Sequence, residues 1–330
     1  MNVAVIGAGA WGTTLAWMLA RNAHAVRLWA RRPELADEIA RTRRNRRYRP
    51  EIVLPAPVVV TSDLAEALTA VEVVVLAVPS HGLRTVLQAA RDGWPSGAIA
   101  LSAVKGLERP SGKRMSEVVV EVLADSVGAV AALSGPNLSE EIARGAPAAA
   151  VVASSDLDAA ELCQRLLGSE TFRVYTNPDI TGVELCGALK NVIALAAGMS
   201  DGLGFGENTK AALITRGLVE MSIVVQARGG DLRTCWGLAG VGDLVATCHS
   251  RLSRNWSLGY HIGRGETLES AAERVRGVAE GVYTSAAIVS WAKEKVDLPI
   301  AKAVYNVVHF ELEAAEAARQ LMTRPWRSEL

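Results

Sequence analysis

A glycine-rich motif near the start constrains this chain more than any other feature. Gly7, Gly9 and Gly12 form a G-x-G-x-x-G pattern directly after the apolar run at residues 3–6. The first glycine permits a tight turn, the second lets the backbone approach a pyrophosphate, and the third allows close helix–sheet contact. The free N–H groups of the helix that follows favour phosphate. The motif therefore predicts a dinucleotide site in an α/β domain.

The rest of the first half fits such a domain. The run at residues 73–78 is entirely apolar, which is typical of a parallel strand covered by helices on both faces. Alternation of β-rich runs with helical stretches predicts a Rossmann-like, doubly wound parallel sheet. Strands are expected at residues 3–6, 26–29, 58–60, 73–78, 99–102, 130–133, 149–153 and 172–175.

The second half has a different character. With 330 residues, the chain is long enough for two domains. We expect a dinucleotide-binding Rossmann domain over residues 1–178, an all-helical substrate-binding and catalytic domain over residues 179–330, and a cleft between them. Ala-rich periodic segments predict helices at residues 181–199, 208–228, 268–275, 281–293 and 298–319, with glycine-rich breaks at 201–206 and 237–243.

Charge and cysteine content argue against several other classes of protein. The 35 basic and 35 acidic side chains cancel, so no overall field draws the chain to nucleic acid or an anionic membrane. The arginine-rich stretch at residues 41–49 fits a solvated loop near cofactor phosphates better than a nucleic-acid site. Four scattered cysteines show no metal-ligand spacing, so we expect no metal and a reducing, cytoplasmic setting. The sequence has no uninterrupted apolar stretch of about 18 residues, so it predicts no membrane span.

The end of the second predicted strand bears on the choice between NAD and NADP. An NAD site usually places an acidic residue there, which bonds the ribose hydroxyls. Arg31 and Arg32 occupy that point, and the first acidic residue after them is Glu34. Two guanidinium groups suit the 2′-phosphate of NADP, so NADP(H) is preferred and NAD(H) stays open. The alternative is that both arginines are solvated loop residues.

Lys190 is a candidate for acid–base chemistry. Between residues 180 and 200, only Glu184 and Lys190 carry charge. A lysine in such an apolar helix loses solvation, which lowers its pKa and suits it to take an alcohol proton. Asn191 beside it could hold a substrate hydroxyl. The alternative is a lysine that packs its stem on the helix and extends its ammonium to solvent.

Two further groups of residues suit a small phosphorylated substrate. Lys105 follows the predicted strand at residues 99–102, so it should lie at the sheet edge where ligands bind. Asp243 follows a glycine-rich turn and could pair with Lys190 or bond the substrate. Arg254, flanked by Ser253 and Asn255, is suited to a phosphate monoester. The alternative for Lys105 is a solvated surface lysine. The alternative for the second group is a capped helix start with a surface arginine.

Taken together, these motifs resemble the bacterial-type NAD(P)-dependent glycerol-3-phosphate dehydrogenase family. The resemblance implies hydride transfer between sn-glycerol 3-phosphate and dihydroxyacetone phosphate, and a supply of glycerol 3-phosphate for glycerophospholipid synthesis. The matching segments cover nearly the whole chain in order: residues 7–13, 102–108, 133–137, 184–191, 237–244, 252–255, 278–281 and 321–325.

The resemblance also implies roles at the matching positions. Lys190 resembles the general acid/base, in a catalytic group that also contains Lys105, Asn191 and Asp243. Substrate contacts are implied for Lys105, Gly135, Asn137, Lys190, Asp243, Ser253, Arg254 and Asn255. Dinucleotide contacts are implied for Gly7, Gly9, Ala10, Trp11, Gly12, Arg31, Arg32, Tyr48, Lys105, Ser139, Arg254, Val278 and Glu280.

The chain departs from the family pattern at three places, one of which is the less usual Thr234-Cys235-Trp236 before the glycine-rich turn. Position 10 is often serine in the family and here is Ala10, which removes one phosphate-binding hydroxyl but keeps the backbone N–H. After Gly-Pro the family commonly has Ser or Thr and then Phe, whereas this chain has Asn137 and Leu138. An asparagine can still hydrogen-bond, so substrate binding is expected to persist with altered tuning.

Two other readings remain open from the sequence. A ketopantoate-reductase-like enzyme acting on a keto or hydroxy acid can also use a lysine and an asparagine on a helical second domain, but it needs no phosphate site. A non-catalytic dinucleotide sensor would bind the cofactor without turnover and would leave Lys190 unexplained. A homodimer is compatible with the Ala- and Gly-rich helices.

Overall fold

The computed structural model describes residues 1–275, 277–293, 295–326 and 328. One eight-stranded sheet consists of β1 (Asn2–Ile6), β2 (Ala25–Trp29), β3 (Val58–Thr61), β4 (Val73–Leu76), β5 (Ile99–Ser102), β6 (Ala129–Ser134), β7 (Ala148–Ala153) and β8 (Phe172–Asn177). The helices of the sheet region are α1 (Ala10–Arg21), α2 (Pro33–Thr42), α3 (Leu64–Leu68), α4 (Leu83–Ala90), α5 (Met115–Leu123), α6 (Ser139–Ala143) and α7 (Leu157–Leu167).

The strand order is β3-β2-β1-β4-β5-β6-β7-β8, and all neighbours are parallel except β6 and β7. The predicted Rossmann-like sheet and its eight strands are therefore confirmed. The antiparallel pair is a feature that the apolar pattern did not reveal. Its consequence is that β7 and β8 run against the other strands, so the chain leaves Asn177 at the edge opposite the carboxyl ends of β1–β6.

The helices after the sheet are α8 (Ile180–Gly202), α9 (Glu207–Ala227), α10 (Asp243–His249), α11 (Arg254–Gly263), α12 (Leu268–Arg274), α13 (Glu280–Ala292), α14 (Pro299–Phe310) and α15 (Ala314–Met322). Within the described residues no strand follows β8, so the predicted helical second half is confirmed. Division into domains at residue 178 stays a prediction.

Helix α8 crosses from one edge of the sheet to the other. At about 1.5 Å per residue, its first ten residues advance about 15 Å. Gly187 packs against the side chains of Ser134, at the end of β6, and of Lys105. The helix therefore brings Lys190 to the same edge as the carboxyl ends of the parallel strands.

Helix α8 is also the one helix, among the described residues, that is long and apolar enough to cross a membrane. Its most apolar 18-residue window is 83% buried inside the protein. Such burial is typical of the core helix of a folded domain, because a helix that is apolar on all sides must be covered by protein or by lipid.

Glycines set the distance between α8 and α11. A Cβ atom at Gly198 would lie 2.0 Å from the carbonyl oxygen of Trp256, and one at Gly259 would lie 2.1 Å from that of Leu195. Both distances are shorter than any normal contact, so side chains at these positions would force the helices apart. The close approach places the start of α11 beside Lys190.

Part of the predicted helical pattern is wrong. The segment 298–319 is two helices, because Glu311 adopts a left-handed conformation (φ 55°) that ends α14. Helices α10 and α11 were not predicted. Both come at or after the end of the break at residues 237–243, which contains an irregular helical turn over Leu238–Gly242 with a kink at Gly240. Short helices between glycine-rich turns carry too little periodicity to be recognised from the sequence.

Candidate active site

The glycine-rich turn joins β1 to α1 in the predicted manner. Gly7 has φ +120°, and a Cβ atom at Gly12 would lie 1.8 Å from the carbonyl oxygen of Gly7. Gly9 caps α1, and no heavy atom lies within 4 Å of the position of its missing Cβ. The turn thus has a backbone open to a ligand and a helix start with unsatisfied N–H groups.

Side chains near this turn carry polar groups without partners. Ala10 and Trp11 begin α1, and the buried indole Nε1 of Trp11 has no hydrogen-bond partner within the described structure. Arg31 and Arg32 lie at the carboxyl end of β2, directly before α2. The residues present therefore fit a dinucleotide, with a backbone cradle for its pyrophosphate and cations where its adenosine ribose would lie.

The segment after α2 is fastened to the glycine-rich turn. Asn45 is fully buried, and its Nδ2 donates to the carbonyl oxygen of Ala8 and to Oγ1 of Thr13, both at 2.9 Å. The Oδ1 of Asn45 accepts from the backbone N–H of Tyr48 at 3.3 Å. Arg49 then donates from Nη2 to Oγ of Ser139 at 2.6 Å. Arg49 thus joins the loop that carries Tyr48 to the start of α6 at Ser139.

The start of α13 is fastened to the loop after β4. Glu280 accepts from the backbone N–H of Ser80 at 3.0 Å and from its hydroxyl at 2.5 Å. A Cβ atom at Gly277 would lie 3.0 Å from Nη1 of Arg254, so the segment containing Val278 lies against that guanidinium group. Val278, Glu280 and Arg254, which the family resemblance grouped as cofactor contacts, therefore lie close together where α11 meets the start of α13.

Arg254 begins α11 and lies against the segment that contains Gly277. It keeps exposed surface, yet dense protein surroundings lower the pKa of its guanidinium, an effect that Glu280 opposes and Arg49 reinforces. No hydrogen bond or ion pair joins its side chain to another group in the described part of the chain. A crowded cation without a counter-charge is suited to receive an anion.

A carboxylate between two lysines forms the centre of the site. Asp243 accepts from Nζ of Lys105 at 2.7 Å through Oδ2 and from Nζ of Lys190 at 3.0 Å through Oδ1. Lys190 also donates to Oγ1 of Thr247 at 2.7 Å, and Lys105 donates to the carbonyl oxygen of Gly135 at 2.7 Å. Lys190 and Asp243 are almost completely buried, so no bulk water screens their charges.

Burial and the neighbouring charges tune these groups. Burial lowers the pKa of Lys190, Asp243 opposes the shift and the Lys105 charge adds to it, and the net result is a pKa of about 8. Burial by itself would raise the pKa of Asp243, but the two lysines outweigh it and hold that pKa below its ordinary value. The Asp243 carboxylate therefore stays ionised, while Lys190 can exchange a proton near neutral pH.

A chain of amides continues from the lysine cluster. Asn191 donates to the carbonyl oxygen of Lys105 at 3.1 Å, and its Oδ1 accepts from Nδ2 of Asn255 at 2.9 Å. Asn255 in turn accepts from the backbone N–H of Gly281 at 2.9 Å. These bonds tie α8, α11 and α13 together, and both polar atoms of the Asn191 side chain already have partners, so its contact with a substrate hydroxyl stays a prediction.

Asn137 and Ser253 differ in whether their side-chain polar atoms already have hydrogen-bond partners. Both side-chain polar atoms of Asn137 are buried without a partner in the described structure, as expected of a group that awaits a ligand. Ser253 caps α11 by accepting from the N–H of Trp256 at 3.2 Å, so its hydroxyl already has a structural role. Substrate contacts by both residues stay predictions.

The sequence reasoning did not assign three residues that the structure brings into the site. Thr247 contacts both Lys190 and Asp243, and its position one helical turn after Asp243 on α10 was the available signal. Arg49 and Asn45 lie inside the arginine-rich stretch at residues 41–49, where no sequence feature sets them apart from their neighbours. In the described residues, no group of three His, Cys, Asp or Glu side chains could hold a metal ion.

Comparisons with known proteins agree on one family. The model for the NAD-dependent glycerol-3-phosphate dehydrogenase N-terminus matches residues 2–160, and the model for its C-terminus matches residues 179–319. A glycerol-3-phosphate dehydrogenase, NAD(P)+, from Chlorobium limicola is 46% identical over 332 residues, with 100% of both chains covered. The protein of that name from Corynebacterium glutamicum strain R is 48% identical over 331 residues, again with 100% of each covered.

A solved structure shares the whole architecture. The crystal structure of glycerol-3-phosphate dehydrogenase from Coxiella burnetii superimposes with a TM-score of 0.94 at 36% sequence identity. The match covers 98% of this chain and 99% of that one. The sheet and the helical half therefore share one fold with that structure.

Proposed function

Because the chain belongs to the NAD-dependent glycerol-3-phosphate dehydrogenase family and is an NAD(P)-dependent oxidoreductase of that family, we propose that it interconverts sn-glycerol 3-phosphate and dihydroxyacetone phosphate with Lys190 as the acid/base. The observation that carries the assignment is the Lys105–Asp243–Lys190 cluster, which stands where the strands of a dinucleotide fold end. By family, the reaction supplies glycerol 3-phosphate for glycerophospholipid synthesis.

When bound, the nicotinamide cofactor supplies or accepts the hydride. The chain holds it through the Gly7–Gly12 turn and the start of α1, with Trp11, Tyr48, Ser139, Val278 and Glu280 as further proposed contacts. The clamp between Glu280 and Ser80 fixes α13 against the sheet, so both walls of the cofactor cleft keep one relative position.

Lys190 moves the proton of the reaction. In the oxidation direction, the neutral Nζ takes the proton of the C2 hydroxyl, and in the reduction direction the ammonium returns it to the carbonyl oxygen. Asp243 and Thr247 aim the Nζ group, and Lys105 adds positive charge where negative charge grows on the substrate oxygen. A pKa of about 8 keeps both protonation states of Lys190 populated in the physiological range.

Arg254 is the proposed phosphate ligand of the substrate. Its guanidinium stands in the cleft without an ion-pair partner in the described residues, at the start of the helix that also carries Asn255. Asn255 is bonded to Asn191, the neighbour of Lys190. A phosphate held by Arg254 therefore orients the carbon skeleton along the amide chain towards Nζ of Lys190.

Arg254→Met should raise the KM for dihydroxyacetone phosphate by about tenfold or more and change kcat less, because a charge-assisted phosphate contact is lost. Initial rates over a range of substrate concentrations measure this. Arg251→Met, which removes an exposed arginine three residues away, is the matched control and should leave KM unchanged. Unphosphorylated dihydroxyacetone should react equally slowly with Arg254→Met and the parent protein. An unaltered KM in Arg254→Met would remove this residue from the phosphate site.

The comparisons establish NAD(P)(H) use, and we propose a preference for NADP(H). Arg31 and Arg32 lie at the carboxyl end of β2, where an NAD-specific site usually carries an acidic residue. Guanidinium groups at this point attract the 2′-phosphate and offer nothing to the free ribose hydroxyls of NAD.

Replacing Arg31 and Arg32 together by Gln should lower kcat/KM for NADPH by about tenfold or more, while kcat/KM for NADH changes little. The ratio of the two values, measured in parallel with dihydroxyacetone phosphate, is the readout. Arg44→Gln removes a positive charge further along the chain as a control. Equal losses with both cofactors would show that these arginines do not read the 2′-phosphate.

The substrate phosphate also separates this function from the readings that the sequence left open. A ketopantoate-reductase-like enzyme has no use for Arg254 in the cleft, and a dinucleotide sensor has no use for a buried lysine with a lowered pKa. We further propose a cytoplasmic location, which suits four free, buried cysteines. A homodimer stays a prediction.

The direct test of the proposed function is loss of reduced-nicotinamide absorbance when the purified protein is mixed with dihydroxyacetone phosphate and NADPH or NADH. Rapid loss with at least one cofactor is expected. A protein that binds dinucleotide but gives no loss with either cofactor would overturn the assignment, and keto acids without phosphate would be the next substrates.

A further inference from the structure

Arg49 is a cation of the cofactor cleft that the proposed mechanism has not used. Its side chain is only 14% exposed. Nη2 donates to Oγ of Ser139 at 2.6 Å and Nη1 to Oε1 of Glu51 at 3.0 Å, while the buried Nε has no partner within the described structure. Nε and Nη2 share one edge of the planar guanidinium, the edge that binds two phosphate oxygens at once.

The position of Arg49 is set by the phosphate-binding turn itself. Its backbone N–H donates to the carbonyl oxygen of Asn45 at 2.7 Å, and Asn45 is bonded to Ala8 within that turn and to Thr13 directly after it. The partner residue Ser139 begins α6, the helix that packs beside α1. Arg49 therefore lies near the start of α1. It joins the segment after α2 to the start of α6, and both border the proposed cofactor site.

Arg49 also lies close enough to Arg254 for the two charges to repel each other, and Arg254 has no ion-pair partner among the described residues. The Arg49 charge is among the causes that lower the pKa of Arg254, which faces it from the helical half of the protein. The nearby carboxylate of Glu51 is itself 37% exposed, so solvent screens the Arg49–Glu51 pair. Two cations that repel each other across a cleft are arranged for an anion between them.

We propose that Arg49 binds the pyrophosphate of the dinucleotide and is an affinity-determining residue for NADH and NADPH alike. The assignment rests on the proposed function, in that it takes the cleft to be the cofactor site. Ala10 has no hydroxyl to offer the pyrophosphate at the start of α1, and the Arg49 guanidinium supplies a donor and a charge in that region.

The anchoring of Arg49 favours the pyrophosphate over the other phosphates. Asn45 joins its loop to the turn on which a pyrophosphate rests, whereas Arg31 and Arg32 occupy the end of β2, where a 2′-phosphate would lie. The substrate phosphate is assigned to Arg254, whose neighbour Asn255 leads to the Lys190 cluster. Arg49 is fastened instead to residues of the first half, through Asn45 and Ser139.

Isothermal titration with NADH, NADPH, ADP and adenosine 2′-phosphate tests the proposal without any turnover. Arg49→Met should raise the dissociation constants of NADH, NADPH and ADP by about tenfold to a hundredfold, because a charge-assisted phosphate contact is removed. Binding of adenosine 2′-phosphate, which has no pyrophosphate, should be unchanged. Arg46→Met is the matched control, since it removes an exposed arginine of the same loop and should leave all four constants in place.

A second variant separates binding from folding. Arg49→Gln keeps an amide donor for Ser139 but no charge, so it should retain the parent thermal midpoint and still bind ADP as weakly as Arg49→Met. Dissociation constants for ADP and NADH within twofold of the parent in Arg49→Gln would overturn the proposal. So would a loss confined to NADPH and adenosine 2′-phosphate, or a change confined to the KM for dihydroxyacetone phosphate. Failure of the dehydrogenase assay would leave these binding results intact, so the two proposals fail separately.

Discussion

Lys190→Ala lowers kcat for dihydroxyacetone phosphate reduction by about two to four orders of magnitude if Lys190 transfers the proton, since general acid–base catalysis contributes on that order. The loss should fall on kcat, because Arg254 and the glycine-rich turn still bind substrate and cofactor. Steady-state rates together with titration of NADPH separate the two effects. Near-normal turnover in this variant would defeat the assignment of Lys190.

Added amines provide a control that a merely structural lysine would not satisfy. Truncation at residue 190 leaves a polar space beside Asp243 and Thr247, which a small primary amine can occupy. Methylamine should restore part of the lost rate in Lys190→Ala. Lys210→Ala removes a similarly buried lysine that pairs with Asp201 on the neighbouring helix, and its rate should not respond to the amine.

Asp243→Asn is expected to have the second-largest effect. The carboxylate is the counter-charge of both Lys105 and Lys190, and no second carboxylate among the described residues forms an ion pair with either ammonium group. Its loss should lower the pKa of Lys190 below about 8 and displace Nζ. A misplaced catalytic group costs about a hundredfold in rate. The measurement is kcat at several pH values in both reaction directions.

The direction of the pH shift distinguishes electrostatic coupling from general damage. In Asp243→Asn, the midpoint of the pH profile should move to lower pH, because Asp243 opposes the fall in the pKa of Lys190. Asp201→Asn breaks another buried lysine–carboxylate pair and serves as the control, with its midpoint expected to stay in place. A midpoint that stays put or rises in Asp243→Asn would contradict the proposed coupling.

Much of the fold could be predicted from the sequence because its strands are marked locally. A fully apolar run such as that of β4 needs protein on both faces, and the glycines of the first turn identify the phosphate-binding unit. The antiparallel pairing of β7 with β6 depends on the path of the chain between the two strands, which no local sequence pattern records. The break of the last predicted helix depends on one left-handed residue, Glu311.

The candidate site was predictable as a set of residue types but not as a network. An isolated charge in an apolar helix pointed to Lys190, and a glycine-rich turn pointed to Asp243. The sharing of Asp243 by two lysines, and the amide chain from Asn191 to Asn255, depend on the close packing of α8 on α11. Arg49 could not be selected from an arginine-rich run, since its burial and its contact with Ser139 are set by the folded structure.

The pH dependence of the parent enzyme tests the central claim most directly, because it reads the protonation state of Lys190 in both directions of one reaction. With a pKa of about 8, kcat/KM for glycerol 3-phosphate oxidation should rise with pH through that value, as the neutral amine is formed. For dihydroxyacetone phosphate reduction, kcat/KM should fall through the same value, as the ammonium is lost. Mirror-image profiles with a common midpoint are the predicted result. Profiles that are flat across this range, or that change in the same direction, would contradict Lys190 as the proton-transferring group.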